Sequence, residues 1–317
     1  MIESDQDKLN NSHILDDEID LRELFKAIWD GKKLVVLITS IVGICSIVFS
    51  LMLSNYYSSY SVLVTRSADN AGSLSQYSGL ASLAGIKLPS SGDTSEIEVM
   101  EIIKSREFLK HLTTFEDVLP SIMAAESYDE VTQELYFDPE IYDKKTKTWT
   151  RKPNKNKGSI PSYIETHKIY LDDLLSLSHD NRSGLIQMNV QHISPVFAKE
   201  FLELVIREAN AFNREIDIDS SSKALSYLIL ELSKTSSIEL KKSINQLIKA
   251  QLETQMMANI HDEYVLIALE PPFIPEEKSW PSRAIIVILA SILGSLIGMT
   301  IVLIRHYYFS GKDTINK

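Results

Sequence analysis

The sequence predicts a fold in which an α/β domain is held at both ends by two membrane-spanning helices. Residues 34–53 and 284–304 contain no charged side chain, and each run is long enough to cross the roughly 30 Å of hydrocarbon in a bilayer. Between the two runs, residues 54–283 contain segments of both strand and helix periodicity. These observations predict a small mixed sheet near the membrane, with long helices projecting from it.

Basic side chains at the ends of the apolar runs predict the orientation of the chain. Two lysines immediately precede the first run, and Arg305 and Lys312 follow the second. Lysine and arginine near membrane ends mark the cytoplasmic side. We therefore expect cytoplasmic tails at residues 1–33 and 305–317, and an external domain at residues 54–283.

Composition and motifs argue against several classes of function. A net charge of −11 and a pI near 5.2 do not suit nucleic-acid binding, which needs a basic face. The single cysteine, Cys45, excludes an intramolecular disulfide and a cysteine zinc site. The sequence has no phosphate-binding loop, no paired metal-binding histidines and no G-x-S-x-G elbow. We therefore expect no enzyme, cofactor or metal, and we interpret Asp172-Asp173 as a surface pair.

The acidic leader has two interpretations. Its apolar residues have helical spacing and could form a short amphipathic helix ahead of the membrane; they are Ile19, Leu21, Leu24, Phe25 and Ile28. The alternative is a solvated tail. The leader lacks the basic start and small-residue cleavage site of a signal peptide, so cleavage is not expected.

Three segments of the external domain predict strands: residues 57–65, 185–193 and 264–269. In the second, alternation places Ile186, Met188 and Val190 on one face. Residues 67–95 are rich in Ser, Gly and Asp and predict a long loop. Its apolar island, Gly79 to Ile86, is either a partner contact or a locally buried piece of loop.

Helical spacing begins at Glu96 and recurs over residues 163–177. Ser194 and Pro195 suit the N-cap and first position of a further helix.

After a polar break at residues 217–222, a long helix is predicted over about 223–260, which contains no proline or glycine. Unbroken, it would be about 55 Å long, with a bend expected at residues 233–238. Because such a rod cannot bury itself in a small domain, it should pack against other copies in a closed ring.

A basic stretch, Lys144 to Lys157, interrupts the otherwise acidic external domain. It is either a positive patch that meets acidic or phosphorylated sugars or a solvated surface hairpin. Its basic residues are Lys144, Lys145, Lys147, Arg151, Lys152, Lys155 and Lys157.

The segment entering the second apolar run is rich in proline. Each proline fixes its own φ and restricts the preceding residue, so residues 271–281 should form a stiff, extended collar. Trp280 and Arg283 suit the membrane interface. The collar residues singled out are Pro271, Pro272, Pro275, Lys278 and Pro281.

Small residues in the second run predict close helix packing. Gly294 and Gly298 form a G-x-x-x-G motif, with Ala290 and Ser291 on the preceding turn, and such spacing lets two backbones approach closely. We expect this face to pack against the first run, where Gly43 is a plausible counterpart, or against a neighbouring copy. The alternative is that glycine is simply common in membrane helices.

Five segments carry a family resemblance: EIDLRELFKAIWDGKKL, YSVLV, EIEVMEIIKSREFLKHL, ISPVFAKEFLELVIREANAFNREID and ALEPPFIPEEKSWPSR. With them the chain resembles the Wzz-type chain-length determinants, the class 1 polysaccharide co-polymerases of Gram-negative inner membranes. The most specific feature is the proline-rich collar. The collar residues and the two glycines, Gly294 and Gly298, match the family pattern.

The resemblance implies a non-enzymatic regulator with a periplasmic α/β domain and two transmembrane helices. Such proteins form bell-shaped homo-oligomeric rings. They set the modal length of O-antigen chains, which a Wzy-type polymerase builds on a lipid carrier for lipopolysaccharide. Two alternatives remain: a co-polymerase for capsule or exopolysaccharide export, and a two-span periplasmic sensor or adaptor. The short tails favour a scaffold, since a sensor should carry a cytoplasmic output module.

Overall fold

The computed structural model describes residues 21–66, 93–154 and 157–313. The first part of the leader, most of the predicted serine-rich loop with its island at Gly79 to Ile86, and Lys155 lie outside the described residues. The chain divides into a first unit, Met1–Leu53 with Pro281–Lys317, and a second unit, Ser54–Trp280.

Among the described residues, the first unit contains three helices: α1 (Leu21–Asp30), α2 (Lys32–Met52) and α9 (Arg283–Asp313). Both α2 and the part of α9 up to Tyr308 are long and apolar enough to cross a membrane. The helical spacing in the leader is thus realised as α1, which ends where Gly31 begins the turn into α2.

The second unit contains six helices and eight strands in the described part of the chain. The helices are α3 (Asp93–Lys104), α4 (Arg106–Leu112), α5 (Val118–Met123), α6 (Tyr163–Ile169), α7 (Pro195–Lys234) and α8 (Ile238–Ile260). The strands are β1 (Tyr57–Thr65), β2 (Ala125–Asp129), β3 (Glu134–Phe137), β4 (Tyr142–Asp143), β5 (Thr148–Trp149), β6 (Leu175–Asp180), β7 (Leu185–His192) and β8 (Leu266–Glu270).

The central sheet has four strands in the order β6-β7-β1-β8, and every pairing is antiparallel. The prediction of a mixed sheet is therefore wrong in this respect, although sheet and helix do combine in one unit. The β6–β7 pairing follows from the short connection between consecutive strands, and β1 pairs antiparallel with β7 on one side and with β8 on the other.

One face of the sheet packs against the first half of α7, and α3 and α4 pack against α7 within the same core cluster. Strand alternation produces this face, since Leu63 of β1 and Ile186, Met188 and Val190 of β7 are all fully or almost fully buried. Ser194 caps α7 as predicted, because its Oγ accepts a hydrogen bond from the Phe197 N–H at 3.2 Å. Phe201 and Val205 then face the sheet one turn apart.

The predicted long helix over 223–260 is wrong as a single rod. Helix α7 runs without interruption through the predicted break at 217–222, where Asp219 and Lys223 form an i,i+4 ion pair and the Ser221 hydroxyl donates to the Ile218 carbonyl. The chain breaks instead at Thr235, whose backbone is extended, within the expected bend. Ser237 then caps α8.

Helices α7 and α8 form an antiparallel hairpin. Gln255 Nε2 donates to Ser222 Oγ at 2.8 Å, and Leu228, Ile244 and Leu247 form a small buried cluster between the helices. The hairpin therefore buries part of the apolar surface that the sequence assigned to contacts with other copies.

Three further differences concern the helices and strands. The helix predicted over 163–177 ends at Ile169, a single π turn (Tyr170–Leu174) follows, and β6 begins at Leu175. Residues 125–149, for which no strand was predicted, form two short hairpins, β2–β3 and β4–β5. The helix predicted from Glu96 is also divided in two, because Ser105 ends α3 and caps α4.

Candidate functional site

The two glycines of the G-x-x-x-G motif face α2 of the same chain. A Cβ on Gly298 would lie 3.1 Å from Val35 Cα and 3.4 Å from Val35 O. A Cβ on Gly294 would lie 3.0 Å from Val42 Cβ and 3.4 Å from Thr39 Cα. Side chains of any size at these positions would therefore meet backbone atoms, which cannot move aside without separating the helices.

The same seam continues in both directions along the two antiparallel helices. A Cβ on Gly43 would lie 3.7 Å from Ser291 Oγ, and one on Gly31 would overlap the Val302 side chain. The Ser291 hydroxyl donates to the Val287 carbonyl at 2.7 Å, and Ala290 is half-buried. Gly31, Gly294 and Gly298 thus each face a valine of the opposing segment, and Gly43 faces Ser291.

The collar runs beside β1 in the second unit. Two buried serines of β1 hold it, since Ser59 Oγ donates to Phe273 O at 2.7 Å and Ser61 Oγ donates to Glu270 O at 2.5 Å. Proline has no N–H to donate to a sheet ladder, so these hydroxyls replace backbone pairing. Of the predicted collar residues, Pro275 is buried, Pro272 is half-buried, and Pro271 and Lys278 are exposed.

The collar ends at a bridge between the two ends of the second unit. Tyr56 N–H donates to Trp280 O at 2.9 Å, and Ser279 N–H donates to Tyr56 O at 2.8 Å. The two rings meet edge to face with centroids 5.6 Å apart. Residues 224 positions apart are therefore joined beside the points where the chain enters and leaves the unit.

A cleft of about 450 Å³ lies beside this bridge. Its walls come from the Tyr56–Trp280 pair, the π turn with Asp172 and Asp173, and the end of β7 at Gln191 to Ile193. Nothing in the sequence marked this set, because its members lie in separate segments. Asp172 and Asp173, interpreted above as a surface pair, line this cleft.

His192 is a buried residue in the lining of the cleft. Its Nδ1 accepts a hydrogen bond from the Ser194 N–H at 3.1 Å, so the proton resides on Nε2, which donates to the Ser121 carbonyl at 3.0 Å. Burial lowers the pKa of His192 to about 4, because a charged imidazolium would lose its hydration there. The side chain is therefore a neutral structural link between α5 and the start of α7.

We expect acid to destabilise the protein through His192. Between pH 6.5, the ordinary pKa, and pH 4 the unfolded chain binds a proton that the folded chain does not, so stability is full above pH 6.5 and falls as the pH drops towards 4. The loss should reach about 3 kcal/mol. Urea unfolding at a series of pH values measures it; His192→Gln should flatten this part of the profile, and an equally steep profile in that variant would contradict the assignment.

The basic stretch forms the β4–β5 hairpin and its flank, and several of its charges are paired. Arg151 bonds both oxygens of Glu165 at 2.8 and 3.3 Å and holds the pKa of that carboxyl below its ordinary value. Lys157 also contacts Glu165, and Lys147 pairs with Glu116. These pairs favour the surface-hairpin interpretation over a strongly positive patch.

The described residues contain no group of three or more side chains that could hold a metal ion. The cleft offers carboxylate oxygens, the Gln191 amide and aromatic surface to a bound molecule.

Comparisons with known proteins give a partial family match. Residues 17–114 match the model of the family described as "Wzz: Chain length determinant protein", which confirms the sequence resemblance over those residues. No curated protein matches the chain. Among matching solved structures, one titled "full-length bacterial polysaccharide co-polymerase" is 14% identical, covers 92% of this chain and 99% of its own, and has a TM-score of 0.39.

Proposed function

We propose that this protein regulates the length of a bacterial polysaccharide, and that the polymer is O antigen assembled by a Wzy-type polymerase on a lipid carrier. The observation that carries the proposal is the match of residues 17–114 to the chain length determinant family. The matched residues include α1, α2 and β1, and β1 is the strand that holds the collar.

The protein is placed in the inner membrane, with α2 and α9 as its two spans, both tails in the cytoplasm and the second unit in the periplasm. Length and apolar composition of the two helices support the spans. Two lysines just before the first span, and Arg305 and Lys312 after the second span, support the orientation. Contact with the polymerase is assigned to the lipid-facing surfaces of these helices.

Assembly into a homo-oligomeric ring is part of the proposal. The α7–α8 hairpin leaves large apolar side chains exposed after its two helices have packed together, and exposed apolar surface of this kind marks protein contacts. The exposed residues are Tyr227, Ile229, Leu230, Ile238, Leu240, Leu252, Met256 and Ile260. The scaffold acts without catalysis of its own.

A deletion strain tests the function. We expect the gel profile of its lipopolysaccharide to lose the cluster of preferred chain lengths, and a plasmid copy of the gene to restore it. A ladder that is the same with and without the gene would contradict the O-antigen assignment. Capsule and exopolysaccharide sizes measured in the same strains then show whether another polymer is the substrate.

A further inference from the structure

The cleft beside the Tyr56–Trp280 bridge has the size and the rigidity of a binding site. Its volume of about 450 Å³ lies within the range of small-molecule sites. The π turn that forms one wall is anchored in the core, because Tyr170 is fully buried and its hydroxyl donates to the Ile103 carbonyl at 3.1 Å. Leu174, at the other end of the turn, is also buried.

The π turn presents two exposed carboxylates, Asp172 and Asp173, along the cleft. Within the described chain, neither accepts a hydrogen bond or forms an ion pair with a protein group. An ionised carboxylate only accepts hydrogen bonds, so the pair suits a ligand rich in donors.

The Tyr56–Trp280 bridge supplies aromatic surface to the same cleft. Trp280 is 47% exposed although its backbone is held by the bridge to Tyr56, so the indole is presented on a fixed support. Aromatic rings combine an apolar face with a polar tip. A sugar ring has the matching surfaces: an apolar face of C–H groups and a rim of hydroxyl donors.

We propose that this cleft binds uncharged sugar residues of the polymer whose length the protein regulates; the inference rests on the proposed function. Sugar hydroxyls donate to Asp172 and Asp173, and a ring lies on Trp280. Gln191 adds an amide beside them. Because two carboxylates repel a third, sugars that carry a carboxylate are rejected.

The test uses the full-length protein in lipid nanodiscs and neutral oligosaccharides hydrolysed from the surface polysaccharide of the strain that carries the gene. A matched probe is the same material after oxidation of its primary hydroxyls to carboxylates. Saturation-transfer NMR and calorimetry measure binding to the wild type, to Asp172→Asn with Asp173→Asn, and to Trp280→Leu. The control is Glu276→Gln with Glu277→Gln, which removes two adjacent exposed charges outside the cleft.

We expect neutral fragments to bind the wild type and the control equally, and both cleft variants at least about tenfold more weakly. The oxidised fragments should bind weakly throughout. Equal binding by the aspartate variant and the wild type, or equal binding of the two probes, overturns the inference. If neutral fragments fail to bind while the deletion strain still loses its preferred chain lengths, the cleft assignment fails and the proposed function stands. If the fragments bind but deletion leaves the chain lengths unchanged, the cleft binds sugars and the proposed function fails.

Discussion

Replacing Gly294 and Gly298 by leucine is expected to broaden or shift the distribution of polymer lengths while the second unit stays folded. A leucine at either position would have to occupy space held by backbone atoms of α2, which lie 3.1–3.4 Å from the position of a Cβ. Overpacking of this kind costs about 1–3 kcal/mol per site. The two helices must separate or rotate, which changes the surface to which the proposed function assigns contact with the polymerase.

The measurement is a gel profile of surface polysaccharide from strains with matched protein levels, together with protease resistance of the second unit. Gly298→Ala should shift the length distribution less, because alanine adds only one methyl group against the same α2 atoms. Thr300→Leu is the control, since Thr300 is exposed on the same helix away from the glycine seam. A normal distribution in the double leucine variant at normal protein level would show that the seam has no part in length control.

Asn210→Ala is expected to lower the free energy of unfolding of the second unit by about 3 kcal/mol or more. Asn210 lies on α7, is 3% exposed, and binds the backbone of the last strand. Its Oδ1 accepts from the N–H groups of Val265 and Leu266, both at 2.8 Å, and its Nδ2 donates to the Leu266 carbonyl at 3.0 Å. Alanine would leave these backbone groups without partners in a buried place.

Urea unfolding of the full-length protein, followed by tryptophan fluorescence, measures this loss, because Trp149 and Trp280 both lie in the second unit. Asn259→Ala is the control: Asn259 is exposed, and its amide bonds only within its own helix, to the Gln255 carbonyl. A midpoint for Asn210→Ala as high as that of the control would show that the β8 backbone finds other partners.

Some elements were predictable because a local pattern specifies them. The strand at Tyr57–Thr65 has the predicted bounds, since alternation alone defines it. Ser194 and Pro195 set the start of α7 for local steric and hydrogen-bonding reasons. The antiparallel β6–β7 hairpin could also have been predicted from the sequence. Leu175, Leu177 and His179 alternate with polar residues ahead of the turn at Gly184, whose φ is +68°.

Other elements gave no local signal. The turns of β2–β3 and β4–β5 place Gln133 and Lys147 at positive φ, where glycine or asparagine would be expected. Asp129 and Asp143 stabilise these turns by accepting backbone N–H bonds. The serine-rich and acidic residues at 217–222 resemble a helix break, but the Ser221 hydroxyl bonds to the Ile218 carbonyl, Asp219 pairs with Lys223, and the helix continues.

Local patterns were enough to predict the two apolar helices, the strands with regular alternation and the proline-rich collar, because each depends on neighbours a few residues apart. How these elements meet depends on long-range contacts. Ser59 holds a carbonyl 214 residues away, Asn210 holds a strand 56 residues away, and the cleft joins the ends of the unit to the π turn. Such contacts depend on burial and partner geometry, which periodicity and composition do not encode.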